Sequence, residues 1–161
     1  MSISNPSIGG SVPTSTRPIF RAGKNAAQNV SSAAATTVHF QNVAQDTLNN
    51  FNGSTGQFTA SVAGQYQFNA TLRFDFAVAA VNEATIEFQV NGVRVARAGF
   101  ALCGTLGGGL TFYYATLASV LNLAVGDIVT VVVTQNTGLT QALNSSSTIN
   151  TFNGFYIHST Y

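Results

Sequence analysis

The side chains able to carry acid, base, nucleophilic or metal chemistry in this chain are few: Asp46, Asp75, Asp127, Glu83, Glu87, His39, His158 and Cys103. No pair of histidines stands at a metal-ligating spacing, and no serine occupies a Gly-x-Ser-x-Gly elbow. No aspartate cluster of the calcium-binding kind occurs. Catalysis needs titratable groups brought together and tuned by their surroundings. This inventory points to no enzyme, no resident metal and no cofactor. Asp46 and Asp127 fall in turns, where a carboxylate accepts backbone N–H groups. Glu83 and Glu87 share one parity of an alternating segment and read as a solvated face. His39 alternates outward between Val38 and Phe40. Cys103 has no cysteine partner in the chain and reads as a small hydrophobe before the turn Gly107-Gly108-Gly109.

The elements that would position these groups are strands. From Gly64 to Phe76 the sequence alternates without a fault: Tyr66, Phe68, Ala70, Leu72, Phe74 and Phe76 on one face, Gln67, Asn69, Thr71, Arg73 and Asp75 on the other. Strict period two over this length predicts a long strand with one face in a core. Further strands are expected at Pro18–Arg21, Thr37–Val43, Phe58–Val62, Glu83–Val90, Val93–Leu102, Leu110–Leu123, Ile128–Thr134 and Phe152–Tyr161. Asn91-Gly92 is a strong hairpin signal. Asn25–Thr37 and Gly138–Asn150 read as loops. The core is expected to hold Phe40, Phe51, Phe58, Tyr66, Phe68, Phe74, Phe88 and Phe155. Leu110–Leu123 is apolar at both parities, with Phe112, Tyr114, Ala118 and Val120 on one and Tyr113, Leu117, Leu121 and Leu123 on the other. A strand of that kind is covered on both sides, and a partner subunit is the simplest second cover. About ten short strands with Gly and Asn turns and no helix predict an all-β, two-sheet sandwich.

Phe40, Asp46, Phe51, Phe58 and Gly64-x-Tyr66-x-Phe68 stand at the spacing of a known family pattern. The chain thereby resembles the C1q globular domain, a jelly roll shared with the tumour-necrosis-factor superfamily. It departs from the pattern at Ala70, where the family carries a further aromatic. Gly126-Asp127 and Phe152-x-Gly154-Phe155-x-Ile157 are similar to a turn and to the closing strand of that family. The resemblance implies a ten-stranded jelly roll over residues 18–161 that packs as a homotrimer about a threefold axis. It would turn Tyr156 and His158 toward that axis. The expected contact comprises Tyr113, Leu117, Leu121, Leu123, Arg73, Tyr156 and His158, with Arg73 and Asp75 pairing across subunits.

Composition limits the partners. Only 7% of the 161 residues are Asp, Glu, Lys or Arg, with one lysine and a net charge of +1. Nucleic acid, whose capture needs clustered cations, is therefore excluded. A surface this poor in charge suits a module that packs against its own copies. No apolar run is long enough to span a bilayer, and Met1 to Pro6 has no secretory pattern. Residues 1–17, rich in Ser, Pro and Gly, read as an extended arm whose Ile3, Ile8 and Val12 would be its anchors. The expected function is a non-enzymatic homotrimeric surface module, a phage capsid decoration, head fibre or tail fibre held to its particle by the arm. The alternative is a soluble or bacterial-surface recognition module, lectin-like or spore-coat-like, that binds glycans or other surface ligands.

Overall fold

The computed structural model describes residues 17–76, 83–105 and 111–159. They form β1 (Ile19–Gly23), β2 (Gln28–Val30), β3 (Thr36–Thr37), β4 (Asn42–Asp46), β5 (Phe51–Asn52), β6 (Gln57–Thr59) and β7 (Gly64–Phe76). The chain continues through β8 (Ala84–Val90), β9 (Val93–Gly99), β10 (Ala101–Thr105), β11 (Thr111–Leu123), β12 (Ile128–Gln135), β13 (Gln141–Leu143) and β14 (Thr151–His158). Two sheets result. The larger runs β10-β11-β7-β14-β1-β4, with β13 joining β7 to β2; the smaller runs β5-β6-β12-β8-β9, with β3 on β12. All the strand pairings are antiparallel. Ile3, Ile8 and Val12 lie outside the described residues.

The alternation of β7 does what the sequence predicts. Tyr66, Phe68, Ala70, Leu72 and Phe74 are buried and meet Ile86 and Phe88 of β8 and Val129, Val131 and Val133 of β12 in one core. Each Phe, Leu, Ile or Val among them contributes roughly 1.5–3 kcal/mol on being taken from water. Phe152 of β14 is the hub of the aromatic part, with ring centroids of Phe20, Phe40, Phe51, Phe68 and Phe88 between 4.9 and 5.9 Å away. Two residues on, Gly154 faces the same core. A β-carbon there would stand 2.6 Å from a Phe68 ring atom and 2.7 Å from one of Phe20, so no larger residue fits without displacing them.

Strand parity then corrects one expectation. With Phe152 and Gly154 inward, Phe155 faces outward and is 44% exposed; it is not a core residue. Four expected segments also differ. Thr37–Val43 is not one strand, because the chain leaves the smaller sheet after β3 and joins the larger at β4. Val38 N still bonds to Val131 O at 2.8 Å during the crossing. The two expected loops contain the short strands β2 and β13, which pair with each other. Val93–Leu102 divides at Phe100, where the chain passes from the smaller sheet to the larger.

Lys24, the one lysine, is fully buried. Its ammonium donates to Gln28 Oε1 at 3.2 Å and to the His39 carbonyl at 3.1 Å, with no carboxylate partner among the described residues. Loss of hydration lowers its pKa from 10.5 to about 8. The unfolded chain therefore binds more protons than the folded one above pH 8, and folding stability rises with pH there. Burial shifts the Tyr66 phenol the opposite way, upward from 10.0, so its contribution to stability declines above that pH. Denaturant titrations should show stability rising between pH 8 and 10 by on the order of 2 kcal/mol. Lys24→Met should flatten the rise; an equally steep rise in that variant would remove Lys24 as its cause.

Candidate interaction surface

The outward face of the larger sheet is built by the second parity of its strands. Antiparallel register sets Ala118, Asn69, Asn153 and Arg21 in one row across β11, β7, β14 and β1. The next row is Val120, Gln67, Phe155 and Ile19. A third carries Thr116, Thr71 and Thr151. The side chains hold one another through neutral bonds: Asn69 Nδ2 to Asn153 Oδ1 at 3.2 Å, Gln67 Nε2 to Asn69 Oδ1 at 3.3 Å, and the Thr71 and Thr116 hydroxyls at 3.4 Å. Val120 is 50% exposed. This face thus combines apolar surface with amides and hydroxyls whose bonds are largely made within the chain.

At one end of the face Arg73 bonds to Asp75 through Nε at 2.5 Å and lies 5.0 Å from the centre of the Phe112 ring. Phe112 and Tyr114 meet edge to face. Asn144 Nδ2 donates to the second Asp75 oxygen at 2.7 Å. Arg73 and Asp75 are therefore paired within one chain, not left open for a pairing between chains as expected.

The expected contact residues divide. Tyr113, Leu117, Leu121 and Leu123 are buried in the core of the single chain. The β11–β7 register explains it: Leu117 lies opposite Ala70 and Leu121 opposite Tyr66, both inward. The outward parity of β11 is the one with Phe112, Tyr114 and Val120. Tyr156 is half-buried, edge-on to Tyr66 at 5.2 Å. His158 is exposed beyond a register shift in β14, with Nδ1 2.6 Å from Ser159 O.

The remaining acidic groups lie on the smaller sheet, at the end of β4 and in the turn before β12. Glu87 does not belong to a solvated face: it is buried beneath Arg94 at 3.2 Å and Arg97 at 3.6 Å, and Gln89 also donates to it. A register shift after Phe88 sets Arg94 opposite Gln89 and within reach. Glu83 pairs with Arg97 and stays exposed. Asp46 and Asp127 do occupy turns. Asp46 accepts the N–H groups of Asn50 and Phe51 at 3.0 and 2.7 Å. Asp127 accepts from Asn91 Nδ2 and Ala124 N, each at 2.8 Å, and these bonds hold its carboxyl below the usual range. Among the described residues no group of three His, Cys, Asp or Glu side chains is placed to hold a metal ion. These charges build structure; the described residues set none of them against another as a catalytic pair.

Residues 19–157 match the family model described as C1q domain. The fold is similar to the globular domain of zebrafish complement 1qA protein, at 22% identity and a TM-score of 0.62, over 89% of this chain and 99% of that one. It is also similar to murine APRIL, at 12% identity and a TM-score of 0.60, over 88% and 99%. No curated protein matches the sequence.

Proposed function

This chain belongs to the C1q domain family, and on that premise we propose that it is a non-enzymatic homotrimeric surface module, packed through the outward face of its larger sheet. The observation that carries the reading is the row Val120, Gln67, Phe155 and Ile19, where two exposed apolar side chains stand on a face almost without free charge. Charge depletion around apolar and aromatic groups is the composition of subunit contacts. Trimeric packing would also supply the outer cover that β11 lacks in one chain.

The setting we favour is the surface of a virion, as a capsid decoration or fibre component held by residues 1–17. The near-neutral composition and the Ser, Pro and Gly-rich start of the chain support it. A bacterial or spore-surface module that recognises glycans is the second reading, favoured by an uncharged cleft described below. Light scattering on a sizing column should return about three chains of 16.8 kDa. A monomer would remove the trimeric reading. Removal of residues 1–17 should leave that mass unchanged and abolish attachment to the particle; retained attachment would place the anchor elsewhere.

A further inference from the structure

We propose that the cleft at the β5–β6 edge of the smaller sheet is a binding site for a neutral sugar ring. The cleft measures about 590 Å³ and is lined by Asn49, Asn50, Asn52, Gln57, Thr59 and Ser61, with Phe51 and Gly53 completing it. Four carboxamides and two hydroxyls thus converge with no charged side chain among them. An anion would find no cation there. A metal would find no free carboxylate, since both oxygens of the nearby Asp46 already accept backbone N–H groups. The Phe51 ring is stacked on Phe20 at 4.7 Å and buried, so it offers no open face to a nucleobase.

The walls are fixed before any ligand arrives. Asn50 N and Phe51 N are held by Asp46, Thr59 N donates to Asn50 O at 2.8 Å, and Gly56 N donates to Asn52 O at 2.8 Å. Gly53 closes one side against the Phe40 carbonyl, which a β-carbon would approach to 2.6 Å. Against this frame several polar atoms stay unused. Asn50 is only 8% exposed, and its Nδ2 donates to Ser61 Oγ at 2.8 Å, yet its Oδ1 has no partner among the described residues. Ser61 accepts that bond and keeps its own O–H to donate. Asn52 spends Oδ1 on Ser54 N and Thr55 N, and its Nδ2 has no partner among the described residues. The amides of Asn49 and Gln57 are exposed.

An acceptor at Asn50 beside a donor at Ser61 is the complement of a diol, whose hydroxyls both donate and accept. Carboxamides on either side extend the same alternation to a second pair of hydroxyls. Without aromatic stacking a single site is weak, with a dissociation constant of order 1 mM. Threefold presentation would raise the avidity. That gain rests on the trimer, but the cleft does not, because every lining residue comes from one chain. A monomeric protein that binds sugar and a trimer that does not are therefore separate outcomes.

The test is to follow the side-chain amide resonances of the full-length protein during titration with glucose, galactose, mannose, N-acetylglucosamine and N-acetylgalactosamine, and separately with trialanine. At least one sugar should saturably shift the amides of Asn49, Asn50, Asn52 and Gln57. Gln57→Ala and Ser61→Ala, both at exposed positions, should each weaken that sugar about fivefold, the worth of one hydrogen bond. Gln57→Ala should leave the melting temperature unchanged, whereas Ser61→Ala should lower it by a few degrees because it also takes the acceptor from Asn50 Nδ2. Shifts with trialanine alone would make the cleft a peptide site. No shifts with any probe, or shifts unaffected by both variants, would overturn the proposal.

Discussion

Phe152→Ala is expected to cost about 4 kcal/mol of folding stability, and Phe155→Ala less than about 1 kcal/mol in the isolated chain. The two residues lie three apart in one strand and differ in parity alone. Phe152 is fully buried and touches five aromatic rings, two of them near edge-on, so its truncation leaves a cavity in a part of the core that stacked rings cannot easily close. Phe155 faces out beside Gln67 and Ile19. Denaturant unfolding at several protein concentrations separates the two effects. Phe152→Ala should lower the midpoint at every concentration. Phe155→Ala should change how the midpoint depends on concentration, because it removes contact area between chains rather than within one. A larger loss from Phe155→Ala than from Phe152→Ala at low concentration would mean that β14 packs in the other parity.

The same strand shows what the sequence could and could not reveal. β7 was legible in full because its inward residues are all apolar and its outward residues all polar, and a one-residue slip would reverse every one of them. β14 reads Phe152, Asn153, Gly154, Phe155, and either parity offers one phenylalanine. The deciding residue is Gly154, which sits inward because Phe20 and Phe68 leave no room for a side chain. A glycine at a core position carries no hydrophobic signal, so periodicity passes over it. β11 poses the same problem at greater length, since both of its parities are apolar and only its register against β7 chooses between them. A trace was present: Ser119 breaks the inward set and Thr116 and Asn122 break the outward one, but neither interruption decides.

The candidate surface was legible only in kind. A low-charge composition pointed to self-association, and the family spacing pointed to the sheet involved. The members of the face follow from cross-strand register, which joins Val120 to Phe155 through Gln67 although they are 35 positions apart. Burial of Glu87 was hidden for a similar reason. Its partners Arg94 and Arg97 come from the next strand, and the register shift that delivers Arg94 leaves no mark in a single sequence. The amide cleft escaped too, because Asn49-Asn50-Phe51-Asn52-Gly53 reads as turn chemistry whether or not its amides are spent within the turn.

Two aspartate substitutions on β11, three residues apart, should have opposite outcomes. Leu117→Asp places a carboxylate in the core opposite Ala70. It forfeits roughly 2–3 kcal/mol of leucine burial and adds several kcal/mol for an unpaired buried charge. The sum approaches or exceeds the ~5–15 kcal/mol that holds an ordinary domain together, and the variant should be insoluble or unfolded. Val120→Asp leaves the single chain nearly untouched, since that side chain is half in water already. In a trimer packed through this face it would bring a charge into each of three contacts, with no cation in its row to pair with it. The expected result is a folded monomer, with the strand signature of the parent in circular dichroism and one third of its mass. An intact Val120→Asp trimer would show that the chains meet elsewhere. A folded, soluble Leu117→Asp protein would contradict the β11 register itself, and the assignment of every outward residue on that strand would have to be reversed with it.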